Sequence, residues 1–183
     1  MRKVTAGLFH SIDGVVEAPD QWQFDAFDEE LGGIMMTTLA ATDTVILGRK
    51  GYEDWAAYWP NTEYDDDFKT FITNTAKYVA SRTLKGKLAW QNSTLIEGDL
   101  NAFARDLKNK PGGEIAVMGG IDIVRHLFLA GIVDELSLVT HPVIAGTGRR
   151  HLFRPDDPVT RVELVNLVRT SKGNAVSTYK LRA

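Results

Sequence analysis

Three short apolar segments of this chain each end in residues that suit a phosphate. The first segment is followed by two glycines and two cations, the second by a hydroxyl and a guanidinium, and the third by a glycine pair. Glycine lets backbone N–H groups at the start of a helix approach an anion, and arginine binds a phosphate dianion through a planar fork of donors. The residues of this predicted anion site are Gly48, Arg49, Lys50, Gly51, Ser81, Arg82, Gly119, Gly120, Ile121, Asp122 and Ile123.

Taken singly, these segments also have explanations without a ligand. Gly119 and Gly120 fit a tight turn between a strand and a helix, because the G-x-G-x-x-G fingerprint of dinucleotide sites is absent. Arg49 and Lys50 fit the solvated first turn of a helix. The combination favours a ligand, since open α/β sheets bind ligands beyond the carboxyl ends of their strands.

The elements that must position these residues are predicted from the hydrophobic pattern. Apolar runs of strand length alternate with segments of helical period, which is typical of a sheet covered by helices on both faces. The last third instead has strand-like runs and turn residues at 171–174, which indicates an antiparallel hairpin at one edge of an α/β sheet. The predicted strands are 4–9, 44–47, 78–80, 115–118, 135–140, 161–169 and 175–181. The predicted helices follow the apolar stripes Phe27/Leu31/Ile34/Met35/Leu39, 100–107 and 121–128, and Asp99 is the predicted N-cap of the second. The predicted loops are 11–24, 57–67 and 145–157.

Composition and charge exclude several classes of function. The 183 residues contain no cysteine, which rules out thiol catalysis and thiolate metal sites. The net charge is −3 and the longest basic run is Arg149-Arg150, which disfavours a nucleic-acid groove. No apolar run approaches the roughly 20 residues of a membrane span, and the start does not resemble a signal peptide. We therefore expect one cytoplasmic domain over residues 1–183.

The same strand ends resemble those of the dihydrofolate reductase superfamily. The match is to the branch that contains the reductase domain of riboflavin biosynthesis and its stand-alone relatives, and it covers nearly the whole chain. The resemblance implies a three-layer fold with a mostly parallel sheet, in which residues 48–49 and 81–82 bind the adenosine 2′-phosphate side of NADPH and the glycine pair supports the pyrophosphate. The further segments that carry it are 11–14, 48–53, 56–60, 77–84, 131–136, 141–148 and 152–153.

Two departures restrict what the resemblance implies. Gly51 stands where relatives often carry threonine, so one hydroxyl contact to the cofactor is in question. The chain also lacks the His/Cys/Cys zinc set of a deaminase, so the full riboflavin-pathway activity is not implied.

The resemblance then predicts an NADPH-dependent reductase of a C=N or C=O bond in a small heterocyclic or sugar-linked substrate. The activity would be similar to that of 5-amino-6-(5-phosphoribosylamino)uracil reductase. The alternatives are a catalytically silent NADPH-binding module and a dihydrofolate or pterin reductase.

Hydride transfer needs an acid that supplies or orients a proton. The candidate carboxylates are Asp13, in the loop after the first strand, and Asp25 or Asp28, at the start of the first helix. Dihydrofolate reductases place their acid on that helix, so the resemblance favours Asp28. The alternative is that Asp28 only stabilises the helix macrodipole.

Aromatic residues are candidates for the wall of the substrate site, where a flat heterocycle could stack. Trp22, Phe24 and Trp59 occur in loop-like sequence and are predicted to bind substrate. Tyr52 and Trp55 are three residues apart, which gives one helical face, so we expect them in the core.

The remaining polar residues predict no metal site. The histidines are widely spaced, and we expect structural or surface roles for His10, His126, His141 and His151. Residues 65–67, three aspartates, are read as a solvated loop or helix start rather than as a magnesium site. Relatives of this branch pair through the strand-rich last third, and exposed strand edges promote aggregation, so we expect a homodimer.

Overall fold

The computed structural model describes residues 1–63 and 66–182 and has an α/β fold built on one eight-stranded sheet. The helices are α1 Glu29–Ala41, α2 Arg49–Tyr58, α3 Asp67–Asn74, α4 Leu100–Lys108 and α5 Ile121–Leu129. The strands are β1 Val4–Ser11, β2 Thr42–Gly48, β3 Ala76–Ala80, β4 Ser93–Leu95, β5 Glu114–Met118, β6 Glu135–His141, β7 Val162–Arg169 and β8 Ala175–Leu181.

The strand order brings the predicted site residues together at the carboxyl ends of neighbouring strands. The order is β4-β3-β2-β5-β1-β6-β8-β7. All neighbours from β4 to β6 pair in parallel, whereas β8 pairs antiparallel to both β6 and β7. The predicted hairpin at one edge is therefore confirmed, and the carboxyl ends of β3, β2, β5 and β1 lie side by side.

Alternation along β2 divides the core into two layers around the sheet. Val45 and Leu47 pack with α2 and α3, through residues that include Tyr52 and Ile72. Ile46 points to the opposite face and packs with α5. The two helices that start at the carboxyl edge, α2 and α5, thus cover opposite faces of the sheet, in the three-layer arrangement that the resemblance implied.

Aspartate N-caps start three of the helices. Asp99 accepts the backbone N–H of Ala102 at 2.9 Å, which confirms the predicted cap of α4. Asp66 caps α3 in the same way, so the helix-start interpretation of residues 65–67 holds for Asp66, while Asp65 lies outside the described residues. Asp28 caps α1, and Phe27, predicted as part of the helical stripe, therefore precedes the helix.

Three features were not predicted from the sequence. The helix α3 and the short edge strand β4 were missed, and α2 continues to Tyr58, inside the predicted loop 57–67. Every residue of β7 is exposed, including Leu164 and Leu167 at 50% and 59%. Within the described ranges, no helix is both long enough and apolar enough to cross a membrane.

Candidate active site

The starts of α2 and α5 meet at the carboxyl edge of the sheet. Both helices have a glycine at the N-cap, Gly48 for α2 and Gly120 for α5, so neither N-cap supplies a capping side chain. A Cβ built on Gly120 would lie 3.9 Å from the Cα of Gly48. The positive ends of two helix dipoles therefore lie together, an arrangement that favours an anion.

Gly51 permits the close approach of these two helices. A Cβ at this position would lie 1.4 Å from the carbonyl oxygen of Gly119, which itself adopts a left-handed φ of 61°. Threonine therefore does not fit here with the backbone as it stands. This contact leaves no room for a side chain at position 51, because the first turn of α2 lies directly against the β5–α5 turn.

Cationic side chains follow the carboxyl ends of β2 and β3, next to the start of α2. Gly48 pairs with Ala80 in the sheet, so Arg49 and Ser81 follow from neighbouring strand ends. Arg49 is exposed and forms a helical i,i+4 ion pair with Glu53 at 2.8 Å. Its remaining donors can bind an anion.

The loop after β3 is organised by one serine. Ser81 Oγ accepts the backbone N–H groups of Thr83 and Leu84 at 3.1 and 2.9 Å, which shapes the loop that carries the exposed Arg82. Lys50 is also exposed. The structure thus brings together the three predicted strand ends and leaves their cations accessible.

The side chain of Asp122 contacts two arginines of the loop between β6 and β7. Its Oδ1 accepts hydrogen bonds from Arg150 at 2.8 Å and Arg154 at 2.6 Å. The bond from Arg150 lowers the pKa of Asp122, and the bond from Arg154 adds to this against the opposing effect of burial. A cofactor contact by Asp122, as by Ile121 and Ile123, would therefore use the backbone at the start of α5.

Asp13 joins the loop after β1 to the loop after β6. Its carboxylate accepts a hydrogen bond from Ser11 Oγ at 2.6 Å and from the backbone N–H groups of Ala145 and Gly146, each at 2.9 Å. The bonds from Ser11 and Ala145 lower the pKa of Asp13 to about 2. Asp13 is therefore ionised at neutral pH.

Asp28 is an N-cap whose second oxygen faces the turn between β7 and β8. Its Oδ1 accepts the N–H of Leu31, while its Oδ2 accepts from Thr170, from the N–H of Lys172 and from Asn174 at 2.5, 3.1 and 3.2 Å. Burial alone would raise the pKa of Asp28, but these hydrogen bonds outweigh it and hold the pKa below its usual range. The alternative of a helix-stabilising residue is thus present in the structure, and a catalytic role stays a prediction.

Asn174 extends this network to a buried histidine that sequence reasoning placed only as structural or surface. Asn174 Nδ2 faces acceptors on Ala26, Asp28 and Thr170, so its Oδ1 must accept the proton on Nδ1 of His141, at 2.6 Å. His141 is fully buried, and burial lowers its pKa. It is therefore neutral, with Nε2 as an acceptor toward the amide of Gln23 at 3.2 Å.

The aromatic residues predicted to contact a substrate differ in their exposure. Phe24 is 79% exposed and has a left-handed φ of 47°, an uncommon conformation for a bulky residue. Trp22 is only 2% exposed, because its ring packs edge-on against His141 and its Nε1 donates to the carbonyl of Glu17. Trp22 is therefore buried in this structure, and its predicted contact with a substrate stays a prediction.

Trp59 lies at the other end of α2. The helix begins beside Gly48 and carries Trp59 about 15 Å along its axis, toward the opposite edge of the sheet. Its ring contacts Phe68 at a centroid distance of 4.9 Å, in an aromatic cluster that belongs to the core. Trp59 is half-buried and also lines an open groove with Lys69, so its predicted contact with a substrate stays a prediction. The core position of Tyr52 is confirmed, and Trp55 is partly buried against the same core.

Some neighbours of the site could not be found from local sequence. Asn174 and Thr170 reach Asp28 across 146 and 142 residues, and Arg154 reaches Asp122 across 32. No spacing rule connects such positions. Among residues 1–63 and 66–182, no group of three or more histidines and carboxylates has the arrangement of a metal site.

The chain is similar to known proteins in sequence and in fold. YyaP, an uncharacterized protein of Bacillus subtilis strain 168, is 29% identical over 155 residues, which cover 81% of this chain and 79% of YyaP. A protein of Shewanella sp. PV-4 named for riboflavin biosynthesis superposes with a TM-score of 0.75 at 16% identity, over 99% of both chains.

Two further matches fix the fold and the family. Dihydrofolate reductase of Enterococcus faecalis, in complex with NADP(H), superposes with a TM-score of 0.62 at 14% identity, over 99% of this chain and 97% of that one. The family model of the RibD C-terminal domain matches residues 2–176, which is nearly the whole chain. The chain therefore belongs to the RibD C-terminal domain family and has a dihydrofolate-reductase-like fold.

Proposed function

We propose that this protein is an NADPH-dependent reductase acting on a C=N or C=O bond of a small heterocyclic or sugar-linked substrate. The observation that carries the proposal is the contact between the glycine-capped starts of α2 and α5, with Gly51 against the carbonyl of Gly119. This backbone cradle suits a pyrophosphate. Membership of a reductase family supports the reaction class, and the NADP(H) complex of a structural neighbour supports the choice of cofactor.

The surroundings of the cradle favour NADPH over NADH. Arg49, Lys50, Ser81 and Arg82 lie at the ends of β2 and β3 and suit a phosphate dianion on the adenosine ribose. No acidic residue directly follows either strand to accept a hydrogen bond from a free ribose 2′-OH. NADPH should therefore bind more tightly than NADH.

The two carboxylates take a restricted role in this proposal. Bound NADPH supplies the hydride. Asp13 and Asp28 are ionised acceptors whose oxygens already bind donors of the protein, so we assign them the positioning of the loop after β1 and of the start of α1. The proton comes from a bound water or from the substrate itself, and the exposed ring of Phe24 offers a stacking surface.

Titrations with both nucleotides test the cofactor assignment. A charge-assisted contact contributes roughly 1.5–3 kcal/mol, so Arg49→Ala or Arg82→Ala should weaken NADPH by about 10- to 150-fold. The affinity for NADH should change far less. Arg105→Ala removes the same charge from the exposed side of α4 and is the matched control. Equal affinities for the two nucleotides, or equal losses in the variants, would contradict the proposed pocket.

Turnover separates a reductase from a silent NADPH-binding module. Oxidation of NADPH is followed with pterins, aminouracil ribosyl derivatives and simple carbonyls as substrates. With an accepted substrate, Asp28→Asn should lower the rate of hydride transfer more than it weakens NADPH binding, because the carboxylate orders the start of α1 rather than the cofactor cradle. Binding of NADPH without oxidation of any of these substrates would favour the silent module.

A further inference from the structure

A second group of cationic side chains lies beside the first turn of α5. An open groove of about 490 Å³ runs between this turn and residues 150–155. Arg150 and Arg154 form its polar wall, and their side chains are 44% and 50% exposed. Phe153, at 39% exposure, and Pro155 add an apolar surface. The groove thus combines two guanidinium groups with one aromatic ring.

The two arginines are held in place by a single carboxylate oxygen. Oδ1 of Asp122 accepts a hydrogen bond from the NH2 group of Arg150 at 2.8 Å and from that of Arg154 at 2.6 Å. Each guanidinium carries five N–H donors, so each keeps donors for a further acceptor. A carboxylate that orients two guanidinium groups in this way prepares them for an anion, because less side-chain freedom is lost on binding.

The loop that carries the arginines is anchored at both of its ends. Asp13 holds the N–H groups of residues 145–146, and Asp157 accepts the backbone N–H of Arg154 and the Nε of Arg125, at 2.8 and 2.6 Å. Leu152, between the two arginines, is buried in the core. The groove is therefore a fixed part of the fold.

The guanidinium groups of Arg150 and Arg154 share one aspartate oxygen, and two further carboxylates lie close by. Glu17 accepts the backbone N–H of Arg150 at 3.1 Å, and Asp157 accepts the backbone N–H of Arg154 and pairs with Arg125. The attraction for an anion therefore comes from the free guanidinium donors rather than from an excess of positive charge. Fork-shaped donors on two guanidinium groups match the oxygens of a phosphate monoester.

We infer that the groove formed by Asp122, Arg150, Arg154, Phe153 and Pro155 binds a phosphate monoester, with the ester group on the aromatic surface. The groove does not include the cations after β2 and β3, but Asp122 belongs to the first turn of α5, whose backbone also forms the cradle. Competition with NADPH therefore tests whether the two sites are distinct. The phosphate belongs to a small metabolite or to a nucleotide, and competition of ribose 5-phosphate and of AMP against the probe distinguishes these sources.

Phenyl phosphate is a suitable probe, because it offers a dianion to the arginines and a ring to Phe153. Its binding is followed by 31P NMR line broadening and by chemical-shift changes of the protein. Arg154→Gln should weaken it about tenfold or more, and Arg154→Lys should also weaken it, since lysine keeps the charge but loses the fork. Arg161→Gln, an equal charge change at an exposed position outside the groove, should leave binding unchanged.

Three results would overturn the inference. Equal losses in Arg154→Gln and Arg161→Gln would show that only the overall charge matters. Displacement of phenyl phosphate by NADPH, with Arg154→Gln weakening both, would assign the groove to the cofactor. No saturable binding of phenyl phosphate to the folded wild-type protein would leave Arg150, Arg154 and Asp122 as a surface ion network only. Circular dichroism establishes that each variant is folded.

Discussion

Replacement of Gly51 by alanine tests the close contact on which the proposed cofactor site depends. The new Cβ would lie 1.4 Å from the carbonyl oxygen and 2.3 Å from the carbonyl carbon of Gly119. Both are backbone atoms, so no change of rotamer relieves the overlap. Since ordinary carbon–oxygen contacts are about 3.3 Å or longer, the start of α2 and the β5–α5 turn must separate by about 2 Å.

The cost of this separation can be bounded. Overpacking costs about 1–3 kcal/mol and occasionally more, while replacing a helical glycine by alanine gains about 0.5–1 kcal/mol. A net loss near the upper end, about 2 kcal/mol, lowers the Tm of a chain of this size by about 4–8 °C. The affinity for NADPH should fall as well, because the two helix starts no longer converge on one phosphate.

Thermal denaturation and NADPH titration measure the two effects, and Gly33 supplies the matched control. Gly33 lies inside α1, and a Cβ there meets no atom within 4 Å. Gly33→Ala should therefore raise the free energy of unfolding by about 0.5–1 kcal/mol and leave NADPH binding unchanged. A Gly51→Ala protein with wild-type Tm and wild-type affinity would refute the proposed contact.

Two further predictions concern a buried lysine and the exposed edge strand. Lys77 is 1% exposed and donates to the carbonyls of Ile72, Thr73 and Thr75, and burial lowers its pKa from 10.5 to about 8. Between pH 8 and pH 10.5 the unfolded chain holds a proton that the folded chain has lost, so the free energy of unfolding should rise with pH by up to about 3 kcal/mol. Urea denaturation at several pH values measures this rise, and Lys77→Met should remove it. We predict that the protein forms a homodimer through β7, which sedimentation at micromolar concentration measures. Leu167→Lys should dissociate the dimer, because Leu167 is an exposed apolar residue of the edge strand. The control variant Val159→Lys, in a loop, should not. A wild-type monomer under these conditions would contradict this prediction.

The parts of the site that the sequence predicted are those set by local pattern. Short apolar runs followed by glycine or by a hydroxyl mark the carboxyl ends of β2, β3 and β5, and the parallel sheet then brings them together. Asp99 was recognisable as a cap because its acceptor and the N–H of Ala102 are three residues apart. Such short-range signals do not depend on the rest of the fold.

The parts that were missed depend on contacts between distant segments. The Cβ of a threonine at position 51 would overlap with Gly119, yet nothing near Gly51 in the sequence indicates that contact. Local sequence likewise does not show that the ring of Trp59 packs against Phe68. The helix α2 continues through Ala57 and Tyr58, whose local sequence is loop-like and whose side chains are exposed.

The network around Asp28 connects the proposed active site to the C-terminal hairpin. The turn between β7 and β8 supplies Thr170, Lys172 and Asn174 to the carboxylate, and Asn174 also fixes the tautomer of His141 at the end of β6. The start of α1 is thus held by the same hairpin that carries the exposed edge strand.

This connection also explains why a proton donor at Asp28 is a poor physical choice. A carboxylate whose oxygens accept four hydrogen bonds from the protein is stabilised in its ionised form, and protonation would weaken several of these bonds at once. Asp13 is in the same position, with three donors and a pKa of about 2. Both residues hold loops at the carboxyl ends of the strands, and this is why the proposed function draws the proton from a bound water or from the substrate itself.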